Sequence, residues 1–312
     1  MLSSLDRPAH AVSKIEGDLM NRREFLKISG ALLAMSGLLP RRLFAKETPI
    51  VAVAEGQDYA AITRSAVDAL GGMGRFVKPG NTVVVKPNIG WDRRPEQAAT
   101  THPLVVRGLV EECLKAGAKK VKVFDNSNND ARRSYENSGI PAALKDLKDV
   151  EVKFMEDERF KKVDLKGVFL KEWELYGEAL SADVFINVPI AKHHSTTLLT
   201  LALKNMMGIM GGNRGIVHRQ IEDALADLSS FVRSHLILVD ATRILTAHGP
   251  TGGSLRDVKV LNKVIASTDI VAADAYATGL FGLKPQDIPV TVRAYKRGLG
   301  EMNLEKVRVV KA

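Results

Sequence analysis

Cysteine is almost absent from this 312-residue chain, in which Cys113 stands alone. An intrachain disulfide is therefore excluded, and this chain alone cannot supply the four thiolates that usually hold an iron–sulfur cluster. Aromatic residues are scarce as well, at 5%, and no run of lysine and arginine is interleaved with them. Nucleic-acid binding, which draws on a basic stripe and stacking platforms, has little support. The apolar run from Ile28 to Leu39 falls well short of the ~20 residues a membrane-crossing helix needs.

What remains is an ordinary globular composition, with 45% hydrophobic and 26% charged residues. It can bury a full core, so disordered, collagen-like and disulfide-scaffold classes are out. The formal net charge is +9, but many charges sit in mixed runs such as Lys145-Asp146-Leu147-Lys148-Asp149. These read as solvated surface, with a modest positive field toward small anions.

The first 45 residues read as an address. Asn21-Arg22-Arg23-Glu24-Phe25-Leu26-Lys27 precedes the Ile28–Leu39 run, and Pro40-Arg41-Arg42 and the small residue Ala45 follow it. This layout resembles a twin-arginine export signal. It implies the twin-arginine export machinery as a partner and a periplasmic or otherwise exported location. Met20 lies closer than Met1 to where such a signal starts, and Leu43 is a poor residue three positions before a cut.

From residue 46 onward, β-branched runs alternate with helical patterns. Strands are expected at Ile50–Ala54, Thr82–Val85, Val121–Phe124, Val150–Phe154, Val184–Val188, Leu236–Val239 and Val258–Ala266. Helices are expected at Asp58–Leu70, after Pro103, and at Thr196–Met210, Ile221–Val232 and Ile270–Phe281. The fold class is α/β: a mostly parallel sheet with helices on both faces, Rossmann-like in its layering. One domain over residues 46–312 is the simplest division, with a small insertion near residues 130–180. A dinucleotide fingerprint is lacking, because Gly71-Gly72-Met73-Gly74 follows a helix pattern rather than a strand. Asp125-Asn126-Ser127-Asn128-Asn129-Asp130 has the wrong residue at its sixth position for a calcium loop.

Polar residues collect where strands end. Lys86-Pro87-Asn88, Asp125-Asn126, Lys192-His193-His194, and Asp240 with His248-Gly249-Pro250 each follow an expected strand. In open α/β sheets the carboxyl ends of the strands form the ligand crevice, so parallel strands would bring these clusters into one pocket. Ser195 or Thr196 is expected to cap a helix carrying Thr200, Lys204 and Asn205. Gly208 to Gly215 is glycine-rich and could cradle an oxyanion beside Arg214 and His218.

The strings VVVKPN, ADVFINVPIAKHHSTTLLTLALKNMMG, HGPTGG and ASTDIVAADAYATGLFGL are similar to the domain-of-unknown-function 362 family, from about Thr82 to the C-terminus. The resemblance places that family's polar signature on Lys86, Asn88, Lys192, His194, Thr197, Thr200, Lys204 and Asn205. It continues on Asp240, Gly249, Pro250, Asp269 and Asp274. Ile190 stands where the family often has a further lysine after the proline. The resemblance implies no particular reaction.

Two functions compete. In the first, an exported enzyme takes a small carboxylate or phosphate. Lys86, Lys192 and Arg214 hold the anion, with Thr197, Thr200 and His218 among the binding residues, and Asn88 and Asn205 orient it. Lys204 or His194 exchanges protons, and Asp240 or Asp274 tunes them. In the second, the same pocket serves a non-catalytic accessory protein of an exported iron–sulfur or redox system, with a redox protein as partner. No cofactor is specified. Asp274, set among apolar helix residues, needs a partner: an internal lysine, or a divalent metal shared with Asp269.

Overall fold

Val83, Val84 and Val85 show how the sheet is built. Successive side chains of a strand point to opposite faces, so Val84 enters one core while Val83 and Val85 enter the other. The same alternation runs through Val184, Phe185 and Ile186, and through Leu236, Ile237 and Leu238. Both faces are covered, which is why these strands read as unbroken apolar runs.

The structure is a computed structural model that describes residues 48–312; the expected export signal lies outside the described residues. The strands are β1 (Ile50–Glu55), β2 (Thr82–Pro87), β3 (Lys120–Val123), β4 (Val150–Val152), β5 (Phe160–Asp164) and β6 (Glu172–Tyr176). They continue as β7 (Val184–Val188), β8 (Ile190–His194), β9 (Leu198–Thr200), β10 (Leu236–Leu245), β11 (Val258–Ser267) and β12 (Arg308–Lys311). The main sheet has the order β12-β1-β11-β10-β7-β2-β3-β4, with β8 and β9 branching from β10. It is mostly parallel. Only β11 runs against its neighbours β1 and β10, and β9 against β8. Strands β5 and β6 form a separate hairpin.

The helices are α1 (Tyr59–Asp68), α2 (Pro103–Lys115), α3 (Ala131–Ser138), α4 (Ile140–Leu144) and α5 (Gly177–Leu180). After these come α6 (Ala202–Asn205), α7 (Ile221–Phe231), α8 (Ile270–Thr278) and α9 (Pro289–Lys296). Helices α1, α2 and α4 pack their apolar sides into one core, and α6 to α9 pack theirs into the other. Asp58 caps α1 through the Ala61 N–H, and Pro103 opens α2 behind His102. Among the described residues no helix is long and apolar enough to cross a membrane.

Two expectations fail in ways that reshape the site. No helix spans Thr196–Met210. Instead β8 and β9 form a hairpin, pairing Lys192 with Thr200 and His193 with Leu199. The β-branched Thr196, Thr197 and Thr200 suit an extended chain better than a helix, and Leu198 takes the left-handed φ of 61° beside the turn. Ser195 and Thr196 therefore cap nothing, and the helical part shrinks to α6 and a 3-10 turn at Met206–Ile209. The other failure concerns Leu236–Val239, which continues to Leu245. Asp240 thus lies in mid-strand opposite Val264 rather than at a strand end.

Candidate functional site

A cavity of about 440 Å³ opens where β2, β3 and β7 reach their carboxyl ends. Lys86 comes from the end of β2, Asp125 from just past β3, and Lys192 and His194 from β8. Thr200 comes from β9, Lys204 and Asn205 from α6, and Arg214 and His218 from the 3-10 turn that precedes α7.

Lys86 and Asp125 form the cavity's buried ion pair, with 2.6 Å between Nζ and Oδ1. The Lys86 ammonium also donates to Pro87 O at 2.8 Å and to Asn205 Oδ1 at 3.0 Å. An ammonium has three N–H groups, so Lys86 has none left for a ligand. Asp125 is equally committed, because its Oδ2 accepts the Ile89 N–H at 2.6 Å. Burial pulls the Lys86 pKa down, and the Asp125 carboxylate opposes that shift.

Asn88 and Asn205 are occupied too. Asn205 Oδ1 accepts from Asn88 Nδ2 at 2.9 Å, while Asn205 Nδ2 donates to Asn187 Oδ1 at 2.8 Å and to Lys86 O at 3.3 Å. Asn88 Oδ1 takes the Lys192 ammonium at 3.1 Å. A continuous side-chain chain therefore runs Lys192–Asn88–Asn205–Lys86–Asp125. The two asparagines orient lysines rather than a ligand. Asn187, not anticipated from sequence, anchors the chain to α6 through Ala202 O at 2.9 Å.

The open donors are elsewhere. Lys192 gives a second hydrogen bond to Ala99 O at 2.6 Å and keeps one N–H free. Arg214 donates to Asn126 O, Ser127 O and Asn128 Oδ1, leaving part of its five-donor fork open. The Thr200 hydroxyl is buried and unpartnered. Lys204 lines the cavity and makes no hydrogen bond or ion pair among the described residues. Burial, then Arg214 and Lys86, push the Lys204 pKa down to about 8. Burial, with Lys204 and Lys86 adding to it, pushes Lys192 down to about 7.

His194 has a narrower role than its place in the sequence implied. Its Nδ1 accepts the Thr196 N–H at 3.1 Å and the Thr197 N–H at 3.4 Å. The proton of the neutral ring therefore sits on Nε2. Burial, Lys204 and Lys192 hold its pKa down to about 3. It offers a hydrogen bond near neutral pH but has no free lone pair to act as a base. Its ring stacks on His218, with centroids 6.4 Å apart and planes 20° from parallel.

Four expected site residues lie outside this cavity. Thr197 donates to Leu199 O in the hairpin turn. Asp240 accepts the His102 N–H at 2.7 Å and both the amide and hydroxyl of Thr242, so it ties α2 to β10. Among the described residues Asp274 pairs with no lysine and belongs to no group of three or more metal-ligating side chains. Its oxygens accept the Ala202 and Leu203 N–H groups at 2.7 and 3.0 Å, holding the start of α6 in place. Burial nevertheless pushes its pKa up to about 7. Asp269 caps α8 through Val271 and Ala272 and also accepts the Glu301 N–H. Among the described residues no group of three or more His, Cys, Asp and Glu is placed to hold a metal.

Sequence reasoning passed over Trp91, Met207 and Thr251, which also line the cavity. Trp91 lies three residues beyond Asn88 on the same strand-end loop, the one cue available. In the sequence Gly208 stands out only as the first residue of the glycine-rich stretch to Gly215. Its role is closeness: a Cβ there would sit 1.8 Å from Asp125 Oδ1 and 2.4 Å from Lys86 Cε. Gly249 is similar, since its Cβ would lie 1.9 Å from His193 O.

Several known proteins resemble this chain. A thylakoid-associated protein of Synechocystis is 29% identical over 253 residues, 78% of this chain and 77% of its own length. Among solved structures, the lactate racemase apoprotein of Thermoanaerobacterium thermosaccharolyticum superposes with a TM-score of 0.50 over 73% of this chain, at 10% identity. The chain spans only about half of that protein, 56%. At that identity the likeness concerns the α/β fold. The family profile described as domain of unknown function (DUF362) matches residues 83–279, a span that holds the whole polar cluster from Lys86 to His218. On that match the chain belongs to the DUF362 family.

Proposed function

We propose that this protein binds a small carboxylate or phosphate in the strand-end cavity and acts on it through Lys204. The observation that carries the reading is an imbalance of charge and of donors. Four cations, Lys86, Lys192, Lys204 and Arg214, line the cavity against one carboxylate, Asp125. Asp125 is already paired with Lys86. Open N–H and O–H groups remain on Lys204, Lys192, Arg214 and Thr200, so an anion would relieve both the repulsion and the unmet donors. An amine whose pKa lies near the working pH, as at Lys204, suits chemistry better than mere anchoring.

Thermal unfolding with and without anions tests this. A saturating ligand at about 100 times its dissociation constant stabilises a fold by about 2.7 kcal/mol. Acetate, phosphate and larger carboxylates are expected to include such stabilisers, and Lys204→Met or Lys192→Met should remove the effect. The pH dependence has a definite sign. Both lysines have folded-state pKa values below the ordinary 10.5, at about 7 and about 8. Between those values and 10.5 the empty fold binds fewer protons than the unfolded chain. Empty-protein stability therefore falls as pH drops through that window, and a bound anion offsets the loss. Acetate keeps its charge throughout, so its affinity should weaken as pH rises past about 8. A broad panel with no stabiliser, or variants that respond like wild type, would overturn the anion reading.

Export is a separate part of the proposal and rests on Arg22-Arg23 ahead of the Ile28–Leu39 run. Replacing both arginines with lysine is expected to retain the protein in the cytoplasm of its host. Fractionation that finds it in the exported pool at wild-type yield would remove the twin-arginine route.

A further inference from the structure

The geometry points to Lys204 as a nucleophile that forms an imine with a small 2-oxo carboxylate. This inference rests on the anion-pocket reading and adds to it the substrate class and the bond that forms. The four cations differ in how many of their donors are already committed. Lys86 has every N–H committed, to Asp125, Pro87 O and Asn205. Lys192 is held by Asn88 and Ala99 O with a single N–H left over, and Arg214 is clamped to the Asn126–Asn128 loop. These two are fixed donors, suited to holding a carboxylate or a carbonyl oxygen in place. Among the described residues Lys204 alone of the four has no hydrogen-bond or ion-pair partner, although it shares the cavity. A partly buried amine beside other cations is the arrangement that favours the neutral, nucleophilic form.

The second component is the hydroxyl of Thr200. It is buried, unpartnered, and on the residue directly opposite Lys192 across the hairpin. Thr200 and the free N–H of Lys192 thus offer two donors for a carbonyl oxygen, while Arg214 holds the carboxylate. Attack forms a bond from Lys204 Nζ to the carbonyl carbon as the C=O π pair moves onto oxygen. Loss of that oxygen as water, carrying the two hydrogens of the amine, leaves the C=N bond. No oxidant, reductant or metal is needed. The depressed Lys204 pKa enlarges its free-amine fraction near neutral pH on the order of a hundredfold over an ordinary lysine.

Borohydride trapping of the full-length protein tests the inference. With pyruvate or 2-oxoglutarate present, reduction should fix one adduct per chain, and peptide mapping of the wild type should place it on Lys204. Its occupancy there should exceed that of any surface lysine by about tenfold or more, as the difference in free amine demands. It should also exceed that of Lys192, because Asn88 and Ala99 O hold that nitrogen in place. Lys204→Arg keeps the cation and should abolish the adduct, whereas Lys192→Met should lower the yield while leaving the adduct on Lys204. Acetate and phosphate, which cannot form imines, provide the control in thermal unfolding. If they stabilise the protein but no adduct concentrates on Lys204, the imine is wrong and the anion pocket stands. If neither stabilisation nor trapping occurs, both fall. Adducts spread evenly over surface lysines overturn the imine outright.

Discussion

Asp125→Asn should lower the free energy of unfolding by about 3–5 kcal/mol near pH 7, as expected when one partner of a buried ion pair is removed. Lys86 is 1% exposed and its three N–H groups already point at Asp125, Pro87 O and Asn205, so it cannot turn to water. The new side chain has a single oxygen where two are needed. It can accept from Lys86 or from the Ile89 N–H, and its amide group then faces the other donor. Lys86 would have to lose its proton to remain buried, so the penalty should shrink as pH rises toward 10.5, the ordinary lysine value. Denaturant unfolding at pH 7 and at higher pH measures this directly. Adding Lys86→Met should recover much of the loss, because an apolar side chain leaves no charge unpaired. A penalty below about 1 kcal/mol, or one independent of pH, would mean that the pair does not hold the site together.

The same pair explains why part of the site was legible in the sequence and part was not. Lys86, Asn88, Lys192, Lys204, Asn205 and Arg214 follow or adjoin strands whose apolar runs are plain, and parallel strands bring their ends together. The fold class followed from the same runs, since β2 and β7 are apolar on both faces. Strand direction was not legible: β11 runs antiparallel between β1 and β10, although its pattern would suit either sense. The Thr196–Met210 stretch misled because Thr200 and Lys204 sit four apart, as on a helix, while its threonines favour the hairpin that forms. Asp240 and Asp274 misled for another reason. Apart from the Thr242 hydroxyl on Asp240, their partners are backbone N–H groups of His102, Thr242, Ala202 and Leu203, and a backbone donor leaves no mark in the identity of a residue. Nor does sequence distinguish a lysine with every donor occupied, such as Lys86, from one that meets no partner among the described residues, such as Lys204. That difference decides which cation can meet a ligand.

Gly208→Ala is expected to be the most damaging single-methyl change in the site. Its Cβ would lie 1.8 Å from Asp125 Oδ1 and 2.5 Å from Lys86 Nζ, inside the ion pair itself. A flexible surface side chain could swing aside, but neither partner is free to do so. Asp125 is tied to the Ile89 N–H, and Lys86 to Pro87 O and Asn205. The glycine backbone is held as well, because Gly208 O accepts the Asn126 N–H at 3.0 Å. Relief therefore requires the pair to separate or the Met206–Ile209 turn to move out, carrying the neighbouring α6 residues Lys204 and Asn205 with it. Overpacking of this kind costs about 1–3 kcal/mol, and separating the pair adds to that cost. Anion stabilisation should be lost along with it, because Lys204 and Asn205 shift relative to Lys192. Combining the change with Asp125→Ala provides the decisive comparison. Removing the carboxylate relieves the closest of the clashes and lets Lys86 shift into the vacated space, so the double variant should be less destabilised than the sum of the two single changes. Strict additivity would show that the methyl is accommodated elsewhere and that Gly208 does not owe its identity to the Lys86–Asp125 pair.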